Sequence, residues 1–308
     1  MTSKEFITVV KATWREFGRD DVGNMAAALT YYSFFSLFPL LILAVSLVSF
    51  WLGDVEARKL IFDNLTRILP GSGQLLSDAV EAALSNRDNA GILALVGAAT
   101  LLFSASGAFD ALDKAINRAW KTEKMPNFFI SKLIGFAMMV GLALIVMASL
   151  ITTALLTTSR AIATQVFGQV PGQDVFWQVV NFTGTLAIIY IIFVSVYRFL
   201  PRRDVGFKDV WLGALIAAFA WAVVKEGFAY YLGSSFANYN AVYGTLGAVV
   251  ALLTWIYVSS IIILVGAEFS AETARVRRLR FATMGQDPES GEQKFKTSPW
   301  FTEREQET

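Results

Sequence analysis

Two adjacent charges inside a long apolar stretch, Lys225 and Glu226, are the residues of this sequence best placed to do chemistry. A charge within a membrane-spanning helix costs about 2.5–3.5 kcal/mol on insertion scales and usually marks a partner or a wet cavity. Ala214, Ala218 and Ala222 share a helix face with Lys225, and small residues at this spacing let another helix approach closely. The pattern predicts a polar pathway lined by Lys225 and Glu226, and the alternative is that Lys225 extends to the outer head groups. Since Glu226 lies about 100° further round the helix, we expect the two side chains not to pair well.

A second polar group follows, just before the last apolar run. It consists of uncharged side chains that could bind a polar head group: Asn238, Tyr239, Asn240 and Tyr243. Tyrosines at this depth are equally typical of the aromatic belt at a membrane surface. The sequence leaves both interpretations open.

A third polar group, Asp110, Asp113 and Asn117, lies where an earlier apolar run ends. These residues share one face of the predicted helix, and the opposite face is apolar. We interpret the polar face as solvated, because a metal site would need more ligands than two carboxylates supply.

The end of the last apolar run carries Glu268, which precedes four arginines between residues 275 and 280. We expect Glu268 to form a structural ion pair with Arg198 or Arg202. The arginines are expected to bind anionic lipid at the inner leaflet.

The composition excludes several classes of chemistry. The chain has no cysteine and no histidine, so disulfides, thiol chemistry and histidine ligands or bases are absent. A net charge of +1 gives no reason to expect nucleic acid as a partner. We therefore predict no catalytic residues, no metal and no cofactor, and a protein that is not an enzyme.

The elements that position these residues are long apolar helices. Only 17% of residues are charged, against about a quarter in a soluble domain, and 55% are hydrophobic. Six runs are long enough to cross a bilayer: Ala26–Leu52, Ile92–Phe109, Leu133–Thr157, Phe176–Tyr197, Val210–Leu232 and Tyr243–Ala267. The predicted fold is an all-α membrane protein with six transmembrane helices over residues 26–270.

The basic residues orient this bundle. With the N-terminus inside, 20 lysines and arginines lie in inner segments and five in outer loops. This asymmetry predicts that both termini are cytoplasmic.

Three segments lie outside the predicted spans. Residues 1–25 place Phe6, Val10, Trp14 and Phe17 on one face, which predicts an amphipathic interfacial helix or, alternatively, a soluble one. Residues 53–90 suggest a small outer helical cap, and residues 271–308 a polar cytoplasmic tail that is disordered towards its end.

Five sequence blocks in order carry a family resemblance. They are residues 26–40 (AAALTYYSFFSLFPL), 107–117 (GAFDAL, then AIN), 197–201 (YRFLP), 243–247 (YGTLG) and 266–268 (GAE). On these blocks the chain resembles the YihY/virulence factor BrkB family of bacterial inner-membrane proteins. The resemblance implies a multi-pass protein of the inner membrane with six spans, and it supplies no catalytic residues. Some members carry a ribonuclease BN name, which fits a chain without histidine, cysteine or a large cytoplasmic part poorly.

The function predicted from these features is a transporter or flippase-like protein for a lipid, amphiphile or solute of the cell envelope. The alternative is a non-transporting scaffold or envelope-assembly factor. Membrane lipids are the expected partners, and homo-oligomerisation stays open. A polar cavity at mid-membrane depth would favour the transporter, whereas a solidly packed bundle would favour the scaffold.

Overall fold

The computed structural model of the chain describes residues 3–52, 107–122, 173–233 and 245–284, and four isolated positions besides. The helices in this part are α1 (Ser3–Arg19), α2 (Val22–Leu52), α3 (residues 107–119), α4 (Gln173–Phe199), α5 (Phe207–Gly233) and α6 (Thr245–Met284). Nearly all of the predicted outer cap over 53–90 and of the second span lies outside the described residues, as do the third span and the tail beyond residue 284.

Three of these helices are long and apolar enough to cross a membrane: α4 over Val175–Phe199, α5 over Phe207–Gly233 and α6 over Leu246–Leu279. The first two contain the fourth and fifth predicted spans, and the third contains residues 246–267 of the sixth. The number of six spans stays a prediction.

Helix α6 lies at the centre of the described bundle and packs against α1, α2 and α5, while α4 packs on α5. Its 40 residues correspond to about 60 Å at 1.5 Å per residue, roughly twice the thickness of the hydrocarbon layer. The predicted sixth span ended at Ala267, but the helix continues to Met284. Continuation is favoured because residues 264 and 266–274 are buried against neighbouring segments.

The two faces of α5 differ in side-chain size. Gly213, Ala214, Ala217 and Ala218 are buried against the bundle, whereas large apolar side chains spaced four apart face outward. These outward side chains are Trp211, Leu215, Phe219 and Val223. Small residues inside and large apolar residues outside are typical of a helix that packs closely on its neighbours and meets lipid.

Helix α1 is amphipathic, and the face buried in the bundle is not its apolar face. Val9 and Thr13 are buried, while Phe6, Val10 and Trp14 remain exposed, Trp14 at 78%. The exposed apolar face is the feature that the interfacial-helix prediction requires.

The C-terminal end of α1, the ends of α3 and α4, the start of α5 and the C-terminal part of α6 meet at one end of the bundle. We call this the polar end, comprising residues 16–21, 113–122, 200–209 and 268–278. Hydrogen bonds join these segments across large sequence separations, such as Arg202 N–H to Asn117 Oδ1 at 2.9 Å. Segments that lie on the same side of a membrane are expected to meet in this way.

Candidate functional site

A pocket of about 180 Å³ lies between α4 and α5. Its lining from α4 is Phe182, Thr185, Leu186 and Ile189, and from α5 Trp221, Ala222, Lys225 and Glu226. Thr185 lies near the middle of α4, so the pocket is placed at the depth of the membrane-spanning segments.

Lys225 and Glu226 supply the charges of this pocket. Their side chains form an ion pair, with Lys225 Nζ 2.9 Å from Glu226 Oε1. The expectation that the two would not pair was therefore wrong. Their Cβ atoms point about 100° apart, but two long, flexible side chains can still converge beyond the helix surface. Lys225 is 23% exposed and Glu226 70%, so the pair leads from the pocket towards the outer surface of α5.

Aromatic rings support the α5 side of the pocket. The ring of Trp221 lies 5.5 Å from that of Trp255 on α6, and Phe228 lies 5.4 Å from the same ring. Because Trp255 is almost fully buried, its contact restricts the position of the Trp221 ring. The pocket thus combines a rigid apolar wall with a charged pair.

The predicted group Asn238, Tyr239, Asn240 and Tyr243 lies outside the described residues. Its head-group and anchor interpretations both stay predictions.

A second polar arrangement occupies the polar end and centres on Lys121. The Lys121 ammonium lies 2.7 Å from Glu16 Oε2 and 2.8 Å and 2.9 Å from the two carboxylate oxygens of Asp20. Burial acts to lower the pKa of Lys121, but the hydrogen bonds to Asp20 and Glu16 outweigh it and the pKa is raised. Burial likewise acts to raise the pKa of Glu16, but Lys121 outweighs it and the pKa is lowered.

The backbone places Lys121 for this role. Its φ of 49° lies in the left-handed region, and it follows the last turn of α3. Lys121 N–H bonds to Arg118 O at 2.9 Å and Thr122 N–H to Asn117 O at 3.0 Å, which is the Schellman pattern of a helix end. Glycine is usual at this position. A lysine is strained there, and the two carboxylates that receive its ammonium offset the strain.

Asp113 and Asn117 are buried, so the interpretation of their helix face as solvated was wrong. Asp113 pairs with Arg202, and Asn117 joins the backbone of residues 200–202. The face is covered because the chain after α4 folds back across it. Burial raises the pKa of Asp113, and the attraction of Arg202 does not fully offset it. Asp110 is half-buried and lies on the same helix.

Glu268 is buried at 1% exposure, and the predicted pairing with Arg198 or Arg202 was wrong. Arg202 is engaged by Asp113, and the Arg198 guanidinium lies 5.7 Å from the centre of the Phe199 ring. The groups around Glu268 are instead Asp20, Lys121 and Arg275.

The arginines after Glu268 contact protein groups where the structure describes them. Arg275 donates to Ala119 O at 2.9 Å and Arg278 to Asp204 O at 3.1 Å, while Arg277 pairs with Asp209 at 3.1 Å. These contacts hold α6 against the C-terminal end of α3 and against residues 200–209. Arg203 adds to the cluster, and burial together with Arg278 and Arg275 lowers its pKa. Binding of anionic lipid stays a prediction.

Sequence reasoning missed the cluster that Glu16, Asp20 and Lys121 form. One signal was available: Glu16 and Asp20 are four apart on one helix face, an arrangement that is unfavourable unless a cation lies between them. The identity of that cation, about 100 residues away, has no local signal. Among the described side chains, no group of three or more acidic residues could hold a metal ion.

The comparison with known families fits a membrane protein of this build. The profile of the family described as virulence factor BrkB matches residues 13–291. The chain belongs to this family. The resemblance predicted from the five sequence blocks is thus confirmed.

The relatives of this BrkB-family chain match it over most of their length. A UPF0761 membrane protein of Vibrio vulnificus is 28% identical over 275 residues, covering 86% of this chain and 82% of the relative. A protein of Bacillus subtilis named ribonuclease-like YfkH is 26% identical over 259 residues, covering 83% and 91%. No solved structure matches the chain. With its long apolar helices, the chain is a multi-pass integral membrane protein.

Proposed function

We propose that this BrkB-family protein is a transporter or flippase-like protein of the bacterial inner membrane, acting on a lipid, amphiphile or solute of the cell envelope. Both termini lie in the cytoplasm in this proposal, and no catalytic step is involved. The observation that carries it is the pocket between α4 and α5, with Lys225 and Glu226 in its lining.

The make-up of the pocket supports an amphiphilic substrate. Apolar and aromatic side chains such as Phe182, Leu186 and Trp221 suit an acyl or other apolar group. Thr185 and the Lys225–Glu226 pair can bind a polar group at the same place. Charges within spans are costly and are retained mainly where they face a partner or a cavity. Lys225 meets both conditions.

The different exposure of the two charged side chains supports a site through which a substrate moves rather than one that only holds it. Glu226 is 70% exposed on the outer surface of α5, whereas Lys225 is largely covered. A polar group entering from the membrane side would therefore meet Glu226 before it reaches Lys225. The ion pair thus provides a polar entrance to a pocket that is otherwise largely apolar.

The test uses the purified full chain in vesicles with a fluorescent phosphatidylglycerol as the probe. Dithionite added outside quenches outer-leaflet probe, so further quenching reports flipping. We expect Lys225→Met to slow flipping by about tenfold or more. Lys208→Met, an exposed lysine at the start of α5 and outside the pocket, should flip like the wild type.

Two further variants separate a pathway from a structural pair. If the pair only stabilises the fold, Lys225→Met should lower the melting temperature, and the double variant with Glu226→Gln should restore it, because no unpaired charge remains. If the pair lines a pathway, the double variant should fold well and stay inactive. Wild-type vesicles that flip neither this probe nor a zwitterionic phospholipid would contradict the lipid proposal and favour the scaffold.

A further inference from the structure

A carboxyl group without a donor lies at the centre of the polar end. Glu268 on α6 is 1% exposed, and neither of its carboxylate oxygens receives a hydrogen bond from a group in the described part of the chain. An ionised carboxylate in such a place is strongly disfavoured, because burial removes its water and nothing replaces it.

The group that faces Glu268 is another carboxyl group. Of the charged groups around Glu268, Asp20, in the turn between α1 and α2, interacts with it most strongly, and Asp20 is itself only 4% exposed. Two ionised carboxylates can only accept, so they cannot bond to each other. A hydrogen bond between them requires that one carries a proton.

The nearby cations do not remove this requirement. Lys121 directs three hydrogen bonds to Glu16 and Asp20, which uses all three of its N–H donors. Arg275 pairs with Glu272 and also donates to Ala119 O. Among the described residues, no cation lies at ion-pair distance from Glu268.

Asp20 is the better acceptor of the two. Both of its oxygens are held by Lys121, and the partly exposed Arg118 lies 3.7 Å away. Both oxygens of Asp20 thus already accept hydrogen bonds, whereas neither oxygen of Glu268 does so within the described part of the chain. The proton therefore belongs on Glu268.

We propose that Glu268 and Asp20 form a proton-binding site, in which Glu268 holds the proton at neutral pH and donates it to Asp20. The site joins α6 to the α1–α2 turn, and loss of the proton leaves two facing carboxylates that repel each other. The other charged groups around it are Glu16 from α1, Arg118 and Lys121 from the α3 end, and Glu272 and Arg275 from α6 itself. The proposal does not depend on transport.

The direct test is infrared spectroscopy of the full chain in lipid. A protonated carboxyl group has a C=O stretch that carboxylates lack. We expect this band in the wild type at about pH 6, with loss of intensity towards about pH 9 as Glu268 ionises. Glu268→Gln should lack the band, whereas Glu272→Gln, a matched change on the same helix, should retain it. A wild type without the band at about pH 6 would overturn the proposal.

Stability provides an independent readout. The native state holds a proton that an unfolded glutamate, with a pKa of about 4.3, has already lost, so the wild type should lose stability as pH rises from about 6 to about 9. Glu268→Gln keeps a donor towards Asp20 and should remove most of this slope. Lys121 does not interfere, because its raised pKa keeps it charged over this range.

Two results would contradict the proposal that Glu268 carries a proton. Failure of Glu268→Gln to fold would do so, because an amide reproduces the donor that the proposal needs. Stabilisation of the wild type by sodium chloride but not by choline chloride, with no carboxyl band, would show that the site binds Na⁺ instead.

Discussion

The hydroxyl of Tyr197 donates a 2.7 Å hydrogen bond to the backbone carbonyl of Ile263, and the same ring lies against Gly266. Tyr197 is fully buried, so its hydroxyl needs this partner. The contact joins two of the blocks that carried the family resemblance, residues 197–201 and 266–268. It sets how closely α4 and α6 approach at the level where α5 also packs on α6.

The absence of a side chain at Gly266 allows this contact. A Cβ there would lie 2.3 Å from Tyr197 Oη and 2.7 Å from Ala217 Cβ. Gly266→Ala should therefore destabilise the protein by about 1–3 kcal/mol, as overpacking usually does. Thermal unfolding in detergent measures the loss.

Gly227→Ala is the matched control for this substitution. Gly227 also lies within a helix, but a Cβ there would meet nothing within 4 Å. It should be neutral or slightly stabilising, since alanine favours the helix. Equal effects of the two substitutions would contradict the close packing at Gly266.

The residues of this contact show what could be predicted from the sequence and what could not. Apolar length alone predicted that Tyr197 and Gly266 lie near the ends of two apolar runs, which holds for the sequence although α6 continues beyond Gly266 to Met284. It could not predict that they touch, because contacts between helices depend on rotation about each axis, and the apolar runs of α4 and α6 are hydrophobic on all sides.

The charged residues were harder to predict for two reasons. Glu268 was assigned a partner by proximity in the expected topology, but its neighbour Asp20 is another acid that local charge rules would not pair with it. Lys225 and Glu226 were separated by the direction of their Cβ atoms, which neglects the reach of long side chains. In both cases the sequence predicted the correct helix for the residue but the wrong side-chain contact.

Two buried acids of the polar end, Glu16 and Asp113, should respond to low pH in opposite directions. The pKa of Glu16 is lowered from 4.5, so its contribution to stability is present above that value and is lost as pH falls through the native pKa. The pKa of Asp113 is raised from 3.8, so the native state takes up its proton first and folding gains as pH falls. Thermal unfolding measured between about pH 7 and pH 3 should therefore show a smaller loss of stability towards acid pH in Glu16→Gln than in the wild type, and a larger one in Asp113→Asn.

The comparison is clean because the two substitutions are alike in kind. Each replaces a buried carboxylate with its amide, and each removes one charged partner of a cation, Lys121 or Arg202. Both variants should be less stable than the wild type at neutral pH. The prediction therefore concerns only the slope of stability against pH. Slopes that change in the same direction would show that the opposite pKa shifts are wrong.

The orientation of the chain is the last prediction, and the absence of native cysteine makes it simple to measure. The excess of basic residues predicts that the polar end faces the cytoplasm and that the 53–90 loop lies outside. An introduced Asn64→Cys should react with a membrane-impermeant maleimide in intact cells, after removal of any outer membrane. Lys208→Cys, at an exposed position of the polar end, should react only after the membrane is opened. Labelling of Lys208→Cys in intact cells, with Asn64→Cys protected, would reverse the proposed orientation. It would also place the proton site of Glu268 and Asp20 on the outer side of the membrane.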